Sequence, residues 1–500
     1  MSGSTPKQTV GALPDTTTDS PFVPVALTWL TWSLFAASLA ALFGRVRLGF
    51  APEVPGVVAV DGLTVLMWVV VAFFSGIVHS YSRRYMAGSA NETEFFLAVF
   101  GFSIAVMALV AADHVALFGA LWLAMGLLMA KLIGVVSGWE QARAAAAVAR
   151  RSFLASSALL GVALAALWWA TGATTVSGIA ASADALGGPV WLLAAVALVL
   201  AAMIQSALVP FHGWLLSSMT APTPASALMH AGFVNAGGVL LLRFAPVVTV
   251  DERLMLAIVA VGAASALLGK LLKSVRADVK SKLACSTSGQ MGFMIMQAGL
   301  GFFGAAITHL VLHGFYKAYQ FLGSGQLVER TSPEKKARRA TGGSGVADVA
   351  VMLLTGLAGG AAFVLLTGKG TSVDSGLLLV LFVVFTTLHA ARSAVRHVSL
   401  PASVRYGAIP LVFLPAITVY ALVYKGVSGL LTGVPVASAP TELTALHGLV
   451  AVAFLAAYVA IEAGVHERSR RLYVALLNAG QPSPGTVLTN ANEYDNGGAQ

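Results

Sequence analysis

The chain has 500 residues, 57% of them hydrophobic and only 10% charged, with a formal net charge of +9. A composition this apolar excludes an ordinary water-soluble globule. The basic surplus lies in short segments between apolar runs, which marks membrane topology and lipid contact rather than nucleic-acid binding. Cys285 is alone, so an internal disulfide and a thiolate metal cluster are both excluded.

Residues 1–22 are rich in Pro, Thr, Ser and Asp, lack the zones of a signal peptide, and read as a disordered cytoplasmic tail. Apolar runs close to the length of a bilayer-crossing helix then follow one another. They lie at 24–43, 59–79, 94–111, 115–136, 148–170, 189–216, 226–243, 254–274, 282–299, 303–326, 347–367, 375–396, 404–424 and 443–465. The expected fold is an all-α polytopic membrane protein of about 14 transmembrane helices, since the short alternating segments of a β-barrel are absent. N-terminal helices at 23–93 precede a core at 94–326. A basic cytoplasmic loop at 327–346, C-terminal helices at 347–471 and a disordered tail at 472–500 complete the chain.

Orientation follows from the cationic residues. With the N-terminus in the cytoplasm, 22 of the 30 Lys and Arg fall inside and six outside, and Lys131 and Lys317 remain in the membrane. That asymmetry satisfies the positive-inside rule.

Polar residues within the apolar runs carry the functional reading. The stretch from Gln205 to Arg243 holds Pro210, His212, a Pro-rich turn at 220–224 and His230. Pro210 removes a helical hydrogen bond and crowds the preceding turn, so a helix breaks near Val209–His212. His230, with Asn235 five positions on, is expected to meet that broken helix at Gln205 and His212. In the stretch 308–325, His309, His313 and Lys317 recur at every fourth position and form one helical stripe about 12 Å long. Three ionisable groups on one face cannot point at lipid. Imidazoles titrate near neutrality and pass protons, and a lysine in low dielectric can switch its charge. The bland alternative is a set of buried, hydrogen-bonded histidines. HxxxH is a two-ligand metal spacing, but no carboxylate or cysteine accompanies it, so no metal site is expected. Lys131 either snorkels or is buried. Asp278, Lys280 and Lys282 form either a solvated loop or a proton-entry mouth. The ion-path candidates are therefore Gln205, His212, His230, His309, His313, Lys317 and Lys131. No catalytic residue, nucleotide loop or cofactor motif is evident, so the chain reads as a transporter subunit and not an enzyme.

Several segments resemble the antiporter-like subunits of respiratory complex I and of Mrp antiporters. They are VDGLTVLM at 60–67, HSYSRRYM at 79–86, ADH at 112–114, VPFHGWLLSSMTAPTPASALMHAG at 209–232, ADVKSKLACSTSGQMGFM at 277–294 and HLVLHGFYKAYQFLGSG at 309–325. The resemblance runs from 60 to 326 and fades beyond. It implies two five-helix units related by an inverted repeat, near 94–243 and 254–396. It also implies a glutamate at the position of Leu123 and a lysine at that of Gln205, and here both are neutral. Losing one partner would strand a buried charge, whereas losing both need not. The family's second lysine-bearing broken helix is not found after 346, nor is the long lateral helix of the complex I subunit. With Gln205 followed by PFHGWL and APTP, the chain is most similar to the DabB type of membrane subunit. That resemblance implies cation conduction, protons foremost, in an inorganic carbon uptake complex of the bacterial inner membrane. The partner would be a soluble DabA-like subunit that carries zinc. The alternatives are a proton- or sodium-translocating subunit of a complex I, hydrogenase or Mrp assembly, and a non-conducting anchor.

Overall fold

The structure, a computed structural model, describes residues 22–325, 346–397 and 402–486. The first half contains α1 (Phe22–Leu48), a two-stranded antiparallel hairpin of β1 (Glu53–Val54) and β2 (Val58–Ala59), α2 (Gly62–Tyr85), α3 (Glu92–Ala111), α4 (Val115–Ile133), α5 (Glu140–Thr171) and the short α6 (Val176–Ala181). Next come α7 (Gly188–Gln205), α8 (Gly213–Ser217), α9 (Thr223–Ala231), α10 (Ala236–Arg243) and α11 (Ala245–Val248). The second half has α12 (Glu252–Ser274), α13 (Val279–Gly299), α14 (Phe303–Leu322), α15 (Val346–Thr367), α16 (Ser375–His397), α17 (Ala402–Leu430), α18 (Ala445–Glu462), α19 (Val465–Arg468) and α20 (Arg470–Ala479).

Among the described residues, ten helices are long and apolar enough to cross a membrane, with α9 and α10 counted together. The apolar parts of α16 and α18 are shorter, and α13 and α14 are diluted by Ser, Thr, His and Lys. The protein is a multi-pass membrane protein.

The expected run at 189–216 is interrupted: α7 stops at Gln205, and helix resumes at Gly213. Ala207 sits in the left-handed region at φ 51°, and the freed backbone groups find side-chain partners. Trp214 Nε1 donates to the Ile204 carbonyl at 2.9 Å, and Ser288 Oγ on α13 donates to the Ala207 carbonyl. A break at membrane depth needs such partners, because lipid offers none. A second interruption follows at Gly232, where a turn of 3₁₀ geometry at Phe233–Asn235 separates α9 from α10. Aromatic rings hold both breaks. Phe153 of α5 meets Trp214 edge-on at 4.8 Å and Phe233 at 4.6 Å.

Two fastenings set the ends of the bundle. On one side Asp61 caps α2, accepting from the Thr64 amide at 2.8 Å, and is clasped by Arg243 at the end of α10. Arg243 also donates to Thr64 Oγ1 at 2.9 Å and to the Val110 carbonyl at 2.6 Å, so α2, α3 and α10 meet there. Burial disfavours the Asp61 charge, but the Arg243 guanidinium outweighs it and holds the carboxyl below its usual range. At the break, the segment expected to be a disordered tail from 472 is instead helical through Ala479 and described through Thr486. The Ser483 amide donates to Ser217 Oγ at 3.0 Å, which anchors the segment to α8. The tail expectation underweighted the amphipathic RRLYVALLNA run, whose Leu476 is buried. The expected 1–22 tail and 327–346 loop lie, but for Phe22 and Val346, outside the described residues.

Candidate functional site

The site is built on α12, α13 and α14. Glycines bring the first two together: a Cβ on Gly269 would lie 2.4 Å from the Gly289 amide nitrogen, so only a bare backbone allows this approach. Close packing brings Thr287 and the Leu283 carbonyl of α13 against α9 and α14.

On α14 the four-residue spacing holds, and the stripe gains a fourth member in Phe321. His309 is partly buried and stands at the wall of a cavity of about 1100 Å³ between α12–α14 and α16–α18. The His309 and His313 rings stack at 5.7 Å between centroids. His313 is buried, and neither ring nitrogen has a hydrogen-bond partner among the described residues. Lys317 is fully buried and donates from Nζ to the Leu283 carbonyl at 3.0 Å. The same carbonyl accepts from Thr287 Oγ1 at 2.9 Å, and Thr287 Oγ1 lies 2.9 Å from His230 Nδ1. His230 in turn stacks on Phe321 at 4.3 Å, and its Nε2 has no partner among the described residues. Thus Lys317 and His230 are linked through the Leu283 carbonyl and Thr287, and the stacked His309 and His313 rings continue the row along α14 by helical spacing. No carboxylate takes part in these contacts.

The other candidates lie elsewhere. His230 was expected to meet the broken helix at Gln205 and His212; it faces α13 and α14 instead. His212 is half-buried, its Nε2 3.0 Å from the Ala479 carbonyl, because the break turns its ring toward the C-terminal segment and away from the row. Gln205 is fully buried at the end of α7, and neither amide atom has a partner among the described residues. Lys131 is half exposed and pairs with Glu94 at 3.1 Å. The α3–α4 hairpin sets the last turn of one helix beside the first turn of the other, so Lys131 snorkels to the rim. Asp278 caps α13 by accepting from the Ser281 amide at 2.7 Å, and Lys280 donates to the Ala221 carbonyl at 3.0 Å, pinning the Pro-rich turn.

Sequence reasoning missed Thr287 and the carbonyl of Leu283. Both lie in the ADVKSKLACSTSGQ segment, where the hydroxyl run was the available signal. It also missed His79, 1% exposed on α2, whose Nδ1 is 2.8 Å from the Ser75 carbonyl.

Comparison with known proteins fits this geometry. Residues 112–343 match the family model described as NADH:quinone oxidoreductase/Mrp antiporter, TM, and residues 53–96 match that of NADH-ubiquinone oxidoreductase (complex I), chain 5 N-terminus. The chain is 39% identical over 280 residues to the probable inorganic carbon transporter subunit DabB1 of Halothiobacillus neapolitanus, covering 55% of this chain and 50% of that one. It is 36% identical over 286 residues to the probable inorganic carbon transporter subunit DabB of Bacillus subtilis, covering 56% of each. NADH-quinone oxidoreductase subunit L of Mycobacterium tuberculosis is 34% identical over 289 residues, covering 57% of this chain and 45% of that one. The chain therefore spans about half the length of these relatives. The solved Mrp complex from Dietzia shares the fold, with a TM-score of 0.56 at 22% identity, over 93% of this chain and 50% of that one.

Proposed function

We propose, from the premise that residues 53–96 and 112–343 match models of antiporter-like membrane subunits, that this chain is the proton-conducting subunit of an energy-coupled inorganic carbon uptake complex. It would sit in the bacterial inner membrane with its N-terminus in the cytoplasm and work with a soluble, zinc-containing DabA-like partner. The observation that carries this reading is the row in which His313, Lys317 and His230 are buried among helices and His309 meets the cavity, with no carboxylate in its contacts.

The row fits a proton better than a sodium ion. Sodium is a hard cation that needs several oxygen ligands, and here it would meet a lysine and three imidazoles. A proton needs only groups that accept and release it. Entering at the cavity, it binds a ring nitrogen of His309 and passes to His313 across a gap that one water spans. Lys317, held by the Leu283 carbonyl, takes the charge next, and Thr287, which donates to the same carbonyl, holds the His230 ring beside it. The neutral Leu123 and Gln205 count against the alternative of a complex I, hydrogenase or Mrp pumping subunit, whose members carry a charged pair there.

The test is co-expression with a DabA-like protein in cells lacking carbonic anhydrase. Labelled inorganic carbon should accumulate, an uncoupler should stop it, and His313→Ala should stop it while the chain still inserts. Uptake that ignores the uncoupler, or that His313→Ala leaves intact, overturns the reading.

A further inference from the structure

The proposed proton row uses the large cavity only at its inner end, where His309 stands. The remainder has two unlike parts. At one end Lys270 and Lys273, in the last two turns of α12, face Lys282 in the first turn of α13. Lys270 lies over the Tyr458 ring, 3.9 Å from its centroid. No acidic residue is among the described residues that line the cavity. Like charges around a low-dielectric recess focus a positive potential, which an anion relieves. Away from the lysines the walls are largely aromatic and aliphatic, with Phe293, Phe382, Phe413 and Phe454 prominent and Gln290 and Gln297 set among them.

An inorganic anion would satisfy the lysines but leave most of a cavity of about 1100 Å³ and its aromatic walls without a partner. A ligand with an anionic head and an apolar tail satisfies both parts. The lysines also lie at helix ends, the level at which a bilayer places its headgroups.

We propose that this cavity holds an acidic phospholipid, its phosphate against Lys273 and Lys282 with Lys270 beside it, and an acyl chain along Phe293, Phe382 and Phe413. The proposal rests on the cavity alone and stands whether or not the row conducts protons.

The experiment uses the full chain, purified in mild detergent and equilibrated with equal amounts of phosphatidylglycerol and phosphatidylcholine, with retained lipid counted by native mass spectrometry. The expected result is a preference for phosphatidylglycerol that falls about 30-fold in the double variant Lys273→Gln and Lys282→Gln, from the loss of two cationic contacts. Lys282→Gln alone, expected to lower it about fivefold, serves if the double variant does not fold. Lys131→Gln should leave it unchanged. Equal retention of the two lipids, or a preference that both variants keep, overturns the proposal. So does displacement of phosphatidylglycerol by millimolar inorganic phosphate, which would mean a site for a small free anion.

Discussion

The interior around Trp122 and the interior around His309 are built on opposite terms. The first is packed with carbon. Phe118 and Trp122 stack at 6.5 Å, and the nearby cavity, bordered by Met67, Phe102, Phe233 and Leu310, has room for about 40 Å³. Trp122 spends its one polar atom on Ser156 at 3.2 Å. The second interior, of about 1100 Å³, sets lysines, glutamines and His309 among its aromatic walls. The lesson lies in Leu123 and Gln205. Where the family resemblance implies an ion pair, this chain is neutral at both positions and the interior beside Trp122 is largely apolar, while the half bearing α14 keeps its basic row. A buried charge persists only where something sustains it, and here that something is present in one half.

The largest expected effect tests the wet half. Lys317→Met keeps the length and removes the charge, and should lower uncoupler-sensitive proton flux about 10²-fold in proteoliposomes of the complex. Flux within about twofold of the unaltered protein would break the comparison. Next, Gln205→Lys puts a charge into the dry half. It should cost about 3 kcal/mol, read as a lower melting temperature, and Leu123→Glu added to it should recover at least about 1 kcal/mol through the restored pair. A neutral effect of Gln205→Lys alone would mean that the region is wetter than its packing indicates.

Asp61 fastens the dry half, and Asp61→Asn should cost about 2 kcal/mol by weakening the Arg243 clasp. Its folded carboxyl is held below the unfolded value near 3.9, so the contribution is fully present above about pH 4. It is lost as the pH falls through the lowered folded value. The variant should therefore show a flatter decline in stability below about pH 4; a decline as steep as that of the unaltered chain would remove Asp61 as its source. The smallest effect belongs to Lys131→Gln. A half-exposed pair at the rim is expected to contribute less than about 0.5 kcal/mol, with flux unchanged. A flux defect there would return Lys131 to the path.

Legibility from sequence followed range. Helix positions were legible because twenty-residue apolar runs have few other uses, and Pro210 marked its break because the ring acts on its own turn. The α14 stripe was legible because period alone puts His309, His313 and Lys317 on one face. What His230 touches was not, since Thr287 lies 57 positions away and only packing of α13 between α9 and α14 brings it near. Lys131 was undecidable for the same reason: its partner Glu94 sits on another helix, and either outcome suits an apolar run. The amphipathic α20 was hidden by the polar sequence after it.

The hold of Ser483 and Thr486 on Ser217 reaches across 266 and 269 positions of sequence. A ribosome delivers Ser217 long before it delivers either partner. During synthesis the loop at His212 must therefore wait, its ring without the Ala479 carbonyl and its serine without a donor, until the last described residues have left the exit tunnel. An early-made part of the bundle is thus fastened by a segment made much later, so translation order places that clasp after the helices between them have emerged.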